Sequence, residues 1–355
     1  MSSPAPRWTA HPGFIAVFCD VGPADVESEG WQLVSHRPAP VQRRNIAAAD
    51  KLPPYGLWAE RKLNLSKNRY GVFQEEYMEI CGNCHTFTPL LEKGEIDIVA
   101  TIRVFREHGL RAVEFSDAFV GEERLVAVKA VLAELEVALV CYDVVCDFAT
   151  ADAAARQAET AKLQAGIRRA AALGARYVLT YPGFLKDGLS PADVRRWFAE
   201  GVRDSLPLAR RSGITVTIPD VGIQAALCGT SAHLNEICDA VGPDLRVTYD
   251  VGNFVMAGED PLEAFDRVAP RIVHAHIKDW QILPASANPP PGAFVGLDGR
   301  YFVGAVPGDG VLDLHGMIAR LSKLGYQGYL SYEYEGTGDP WEAVRRGLAY
   351  LRRLL

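Results

Sequence analysis

Three short stretches in the C-terminal half gather the residue types that metal and acid–base chemistry use. Asp250 closes the run TYD of TYDVGNF, His274, His276 and Lys278 fall at every second position in VHAHIKDW, and Glu333 and Glu335 do so in LSYEYEG. Each stretch is rich in β-branched and aromatic residues, as a strand requires. Side chains alternate across a strand, so His274, His276 and Lys278 share one face, as do Glu333 and Glu335. An Asp, a His and a Glu brought together make a mixed oxygen and nitrogen site suited to Mn2+, Mg2+, Co2+ or Zn2+. Such an ion polarises a carbonyl or holds vicinal oxygens and stabilises an enediolate-like anion. A carboxylate or lysine beside it moves the proton. On this reading Glu333, Lys278 and His274 are catalytic candidates, and Asp250, His276 and Glu333 are metal candidates.

These side chains converge only if their strands do. From about residue 95 onward, short apolar runs alternate with longer stretches whose apolar residues recur at three- and four-residue spacing, the pattern of βαβ units on a parallel sheet. Strands are expected at 111–115, 137–142, 177–181, 214–218, 246–249, 271–277 and 328–334, and the run YMEIC at 77–81 supplies an eighth. Helices are expected between them, among them one that starts at Ser190-Pro191, with Ser190 as N-cap and proline in the first helical position. Eight such units make a (β/α)8 TIM barrel, an α/β fold of typically ~250 residues, so the 355-residue chain holds one barrel and an extension. Residues 1–70, rich in Pro and Arg, read as an N-terminal extension, and 71–355 as the barrel. In a barrel the strand C-termini form the active-site mouth, where Asp250, His276 and Glu333 fall; stabilising features belong to the opposite end. The stretch Pro284–Val306, with three consecutive prolines, reads as a long loop overhanging that mouth.

Composition narrows the partners. The net charge of -7, with 37 Lys and Arg against 44 Asp and Glu, lacks the basic footprint of a nucleic-acid binder. No apolar run approaches the ~20 residues of a membrane span, and the N-terminus MSSPAPRWTAHPG has no basic and apolar halves of a signal peptide. A cytoplasmic protein with reduced thiols is expected for the seven cysteines. Cys81-Gly82-Asn83-Cys84-His85 matches a haem-attachment pattern, but one match without an export signal reads as coincidence, with Cys84 or His85 lining the mouth.

The stretches DVGNFVMAGEDPLEAFDRVAPRIVHAHIKDW and VPGDGVLDLHGMIARLSKLGYQGYLSYEYEG resemble the sugar phosphate isomerase/epimerase superfamily, the xylose isomerase-like TIM barrels. The resemblance implies a divalent metal held by a Glu on strand five, an Asp on strand six, a His on strand seven and a Glu on strand eight. Asp250, His276 and Glu333 match the last three. The first does not match: the fifth strand reads Thr217-Ile218-Pro219-Asp220-Val221, and Pro219 stands where the Glu is expected. Asp220, one residue on, is the substitute metal candidate. In the family's epimerases the carboxylates of strands five and eight act as a pair from opposite faces, so this departure disfavours two-base epimerisation.

The resemblance implies an isomerase or epimerase acting on a sugar, keto-sugar or cyclitol through an enediolate-like intermediate. The alternatives are a lyase or dehydratase performing β-elimination from a keto-sugar, including C-glycoside cleavage beside a small partner subunit, and a non-catalytic sugar-binding barrel. A DNA-repair nuclease on the same barrel is disfavoured by the acidic charge and by only eight histidines. Substrate contacts are expected from Glu114, Asp143, Asn253, Trp280 and Glu335, with a homo-oligomer or a small partner subunit as possible assemblies.

Overall fold

A computed structural model describes residues 78–355 and two further short strands, Leu65–Lys67 and Phe73–Glu75, which pair antiparallel. Apart from those two strands, the expected extension over residues 1–70 and its boundary lie outside the described residues.

The eight expected strands all form and close into one parallel barrel. They are β1 (Glu79–Asn83), β2 (Ala112–Ser116), β3 (Ala138–Asp143), β4 (Tyr177–Leu179), β5 (Thr215–Pro219), β6 (Leu245–Asp250), β7 (Ile272–Ile277) and β8 (Tyr329–Tyr332). The crossover helices are α1 (Ile98–Glu107), α2 (Leu125–Leu135), α3 (Ala153–Leu173), α4 (Pro191–Arg211), α5 (Ser231–Val241), α6 (Pro261–Val268), α7 (Leu314–Leu324) and α8 (Pro340–Leu354). Their starts are fixed by short polar side chains that accept otherwise unpaired amides. Asp97, Asp152, Thr230, Asp260, Asp313 and Asp339 each cap a helix in this way, worth about 1 kcal/mol apiece. Ser190 stands at the N-cap of α4 as expected, but its side chain makes no capping bond, and Pro191 alone marks that start. Gly174 closes α3 in the left-handed conformation (φ 81°) that a Cβ would strain.

Strand alternation divides the core. Val113 and Phe115 of β2, Val247 and Tyr249 of β6, and Ala275 and Ile277 of β7 face the helices and belong to the main apolar core. The side chains between them point into the barrel, where Cys81, Ala112 and Val140 form a small apolar layer. Above that layer the interior turns polar. Two register slips set this arrangement. Between Val113 and Glu114 the β2–β3 pairing shifts by one residue, and between Val247 and Thr248 the β6–β7 pairing does the same. After the second slip Thr248 stands beside His274 and Asp250 beside His276; after the first, Ser116 stands beside Asp143. Such irregularities re-aim side chains next to functional sites.

The expected long loop after β7 is instead a small antiparallel sheet. Asp279–Leu283 pairs with Tyr301–Ala305, which also pairs with Phe294–Val295. Buried Trp280, Phe302 and Met256 give this lid its own apolar core. Proline content in the intervening turn masks its β-character in the sequence, and the pairing of its outer strands is decided only by contact. The Asp279 carboxylate accepts the amides of Gly308, Gly310 and Leu312 and so ties the returning chain to the end of β7. Among the described residues no helix is long and apolar enough to cross a membrane, and the six described cysteines are free and buried.

Candidate active site

Asp250, His276 and Glu333 meet at the C-terminal mouth of the barrel. Register brings Asp250 beside His276 on one side and Ser331 beside it on the other, and Glu333 follows Ser331 by two residues on the same face. Their donor atoms lie within 4.8 Å of one another. His276 Nδ1 is 3.2 Å from Glu333 Oε1 and 3.7 Å from Asp250 Oδ2. The Lys278 ammonium lies in the same cluster, 2.9 Å from Asp250 Oδ2 and 2.5 Å from Glu333 Oε2, and it also pairs with Glu335.

A second layer of hydrogen bonds holds these groups from behind. Buried Glu114 accepts from His274 Nε2 at 2.7 Å, His276 Nε2 at 2.9 Å and Ser331 Oγ at 2.5 Å. Asn83 donates to Glu333 Oε1 at 2.6 Å. Asn253 donates to Asp250 Oδ2 at 3.0 Å and to the Asp220 carbonyl at 2.9 Å. Thr248 and Thr217 hydroxyls bond at 2.8 Å beneath.

Charge and burial pull the titrating groups in different directions. Burial disfavours the Lys278 ammonium, but Asp250, Glu333 and Glu335 outweigh it and hold its pKa well above the usual lysine range. Burial would raise Glu333, yet Lys278 and His276 keep it well below an ordinary glutamate. Glu114 is likewise held low against burial by His276 and His274, and His276 is held high against burial by Glu114 and Glu333. Glu335 moves the other way: burial and then Glu333 outweigh Lys278, and its pKa rises. Asp220 and Asp143 are raised well above the usual range, first by burial and then by the neighbouring carboxylates Asp250 and Glu114, respectively.

The structure places each sequence-derived candidate differently. Asp250, His276, Glu333 and Lys278 converge, and Glu335 joins them with a side chain 26% exposed at the mouth. His274 is not at the mouth: it is fully buried on Glu114 and stacks on Tyr177, so contact with substrate does not fit it. Glu114, equally buried, is occupied by its three donors and is not placed to bind a sugar hydroxyl. Trp280 is buried in the lid, its indole N–H on the Gly252 carbonyl, and offers no stacking face. Asp143 is buried with its carboxylate against His85 Nε2 at 3.2 Å. Asn253 orients Asp250. Pro219 ends β5, as expected. Asp220 does not stand with the three donors; its Oδ1 accepts the Asp250 amide at 3.1 Å and its Oδ2 is buried without a hydrogen-bond partner among the described residues.

Asn83 and Ser331 join the site beyond the expected residues, while His85, expected to line the mouth, meets Asp143. Ser331 had a signal, since it lies two residues before Glu333 on the same strand face. Asn83 sits in the pattern CGNCH, whose haem-like spacing singles out Cys84 and His85 instead; Cys81 and Cys84 are buried in the interior.

The family model for xylose isomerase-like TIM barrels matches residues 102–354. The chain belongs to that family. An inosose dehydratase of Lacticaseibacillus casei is 30% identical over 128 residues, which cover 34% of this chain and 42% of the dehydratase. The match thus spans less than half of that relative's length. Among solved structures, a 3-keto-D-glucoside 4-epimerase, YcjR of E. coli, superposes with a TM-score of 0.61 at 19% identity, covering 78% of this chain and 100% of the epimerase. The IOLI protein, solved with a binding zinc atom, gives 0.63 at 16% identity, covering 78% and 98% of the two chains. At these identities the superpositions establish the xylose isomerase-like fold.

The donor set fits a divalent ion. Asp250 and Glu333 offer carboxylate oxygens and His276 a ring nitrogen, a hard and borderline mixture suited to a first-row or magnesium ion. Four carboxylates, those of Glu114, Asp250, Glu333 and Glu335, outnumber the cations Lys278 and His276 around this point. Lys278 would keep Glu335 as a partner if Asp250 and Glu333 served an ion.

Proposed function

We propose that this protein is a metal-dependent lyase that eliminates water from a keto-cyclitol or keto-sugar. Asp250, His276 and Glu333 would hold the ion. When bound, it supplies Lewis-acid polarisation of the substrate carbonyl or of its vicinal oxygens.

The observation that carries this reading is the Lys278–Glu335 pair at the rim of the donor set. Elimination needs one group to take the proton α to the carbonyl and another to protonate the departing β-hydroxyl. Glu335 has the raised pKa and the exposed position that suit the base. The Lys278 ammonium, hydrogen-bonded to Glu335, would be the acid once an ion takes up Asp250 and Glu333, whose charges otherwise tighten its hold on the proton. The C–H proton passes to Glu335, the C–O bond breaks, and the Lys278 proton leaves with the hydroxyl as water. The hydrogen bond between the two residues then returns a proton from Glu335 to Lys278 and resets the pair. Both groups lie on one side, so the reaction asks nothing of β5, where Pro219 has no ligand to offer. The inosose dehydratase relatives support the same reaction class.

An epimerase is the second reading. Asp220 favours it, because a buried carboxylate beside Asp250, its Oδ2 without a partner among the described residues, would supply a second base if it turned inward.

The test is incubation of the Mn2+- or Co2+-loaded protein with keto-inositols and 3-keto-glucosides. Appearance of an absorbing α,β-unsaturated ketone supports elimination. An epimer formed without unsaturated product would replace it by the second reading. Turnover that survives complete chelation would sink both.

A further inference from the structure

We propose that Glu114 is a positioning residue that fixes the ring orientation and tautomer of His276, presenting Nδ1 as the metal-binding atom. The inference rests on the metal-dependent reading above and specifies how the site is assembled for it.

Glu114 comes from β2 and reaches across the barrel interior to β7 and β8. Its side chain is 0% exposed, and three groups donate to it: His274 Nε2, His276 Nε2 and Ser331 Oγ. An ionised carboxylate only accepts, so each nitrogen that faces it must carry a proton. For His276 that keeps a hydrogen on Nε2, so Nδ1 is the nitrogen that would give up its proton and ligate when an ion binds. Nδ1 is the atom that points toward Glu333 Oε1 and Asp250 Oδ2, at 3.2 and 3.7 Å. A ring turned over about its Cβ–Cγ bond would give up the Glu114 bond and aim a different atom at the donors.

The tether is itself braced. Ser331 is the β8 residue in register with His276, so the bond to Glu114 locks two neighbouring strands at the level of the site. His274 stacks on Tyr177 with ring centroids 5.5 Å apart. Its other nitrogen, Nδ1, is buried without a hydrogen-bond partner among the described residues, so its polar function is spent on Glu114. A ligating histidine whose second nitrogen is held by a carboxylate typically loses about ten- to a hundredfold in metal affinity when that partner is changed.

The test uses the full chain, stripped of metal and titrated with Co2+, comparing the wild type with Glu114→Gln and Ser331→Ala. Glutamine can donate its amide to Nε2, which would move the histidine proton to Nδ1 and block ligation. Glu114→Gln is expected to weaken Co2+ binding about ten- to a hundredfold and to alter the visible d–d spectrum. Ser331→Ala, which keeps the carboxylate, is expected to stay within severalfold. Long-range 1H–15N spectra of the Zn2+-loaded wild type need no variant and are expected to show His276 ligated through Nδ1 with a proton on Nε2. Ligation through Nε2, or an unchanged Co2+ affinity and spectrum in Glu114→Gln, overturns the proposal. A wild type that takes up no metal overturns the metal-dependent reading and this inference with it, and is recognised before any substitution is made.

Discussion

Lys278 Nζ lies 2.5 Å from Glu333 Oε2, with both side chains 5% exposed, and the same ammonium reaches Asp250. Two carboxylates of the donor set therefore share one positive charge supplied by the chain itself. Removing one partner of a buried ion pair leaves an uncompensated charge, at a cost of about 3–5 kcal/mol. Lys278→Met should accordingly lower the melting temperature of the metal-free protein. Mn2+ or Co2+ should restore it by a larger increment in the variant than in the wild type, because the ion replaces the missing charge. Differential scanning fluorimetry with and without metal checks this, and equal increments would contradict it.

Glu335→Gln separates the proposed base from the ligands. Glu335 touches Lys278 and is outside the group of three donors. Metal stoichiometry by elemental analysis should remain that of the wild type, while turnover should fall by about 10²–10⁴, the usual contribution of general acid–base catalysis. His276→Ala should do the reverse in order of cause, losing the metal first and activity with it.

Asp220 and Glu333 make opposite contributions to stability as pH changes. Glu333 is depressed in the folded protein, so its contribution is present above the usual glutamate value of 4.5 and is lost as pH falls through its folded pKa. Asp220 is raised, so folding is favoured while it is protonated. That advantage is full below the ordinary aspartate value of 3.8 and is lost as pH rises toward the folded pKa. Asp220→Asn, which keeps an oxygen for the Asp250 amide, should match the wild type in acid and gain stability over it toward neutrality. Chemical denaturation midpoints across pH 3 to 8 would show the divergence; parallel curves would mean that Asp220 ionises freely.

The lid strand meets the site at a glycine. A Cβ on Gly304 would lie 2.2 Å from the backbone carbon of Glu335 and 2.3 Å from the nitrogen of Gly336. Gly304→Ala must push the lid and Glu335 apart. The expected outcome is a fall in kcat with Co2+ affinity unchanged, since Asp250, His276 and Glu333 are not among the atoms it meets. Loss of metal together with activity would mean that the lid also shapes the donor set.

Much of this was legible in the sequence, and for identifiable reasons. Eight strands and their crossover helices announce themselves through local periodicity and helix-capping residues, which act over a few neighbours. The alternation His274, His276, Lys278 and Glu333, Glu335 is a property of any strand, so which of these side chains share a face follows from the sequence alone. Pro219 in the place of a carboxylate was equally plain. Contacts across the barrel were not. Glu114 and His274 are separated by 160 positions, and only closure of the barrel turns a supposed sugar contact and a supposed catalyst into a tether beneath His276.

Register was also beyond the sequence. One-residue slips at Val113/Glu114 and Val247/Thr248 set which residues stand level, and without the second of them Asp250 would face Ala275 instead of His276. Local residue preference determined which side chains face inward and what chemistry they could do. Only the tertiary structure decided which of them meet, because pairing register and lid packing depend on the closed sheet as a whole, and one residue of slip exchanges every neighbour across it.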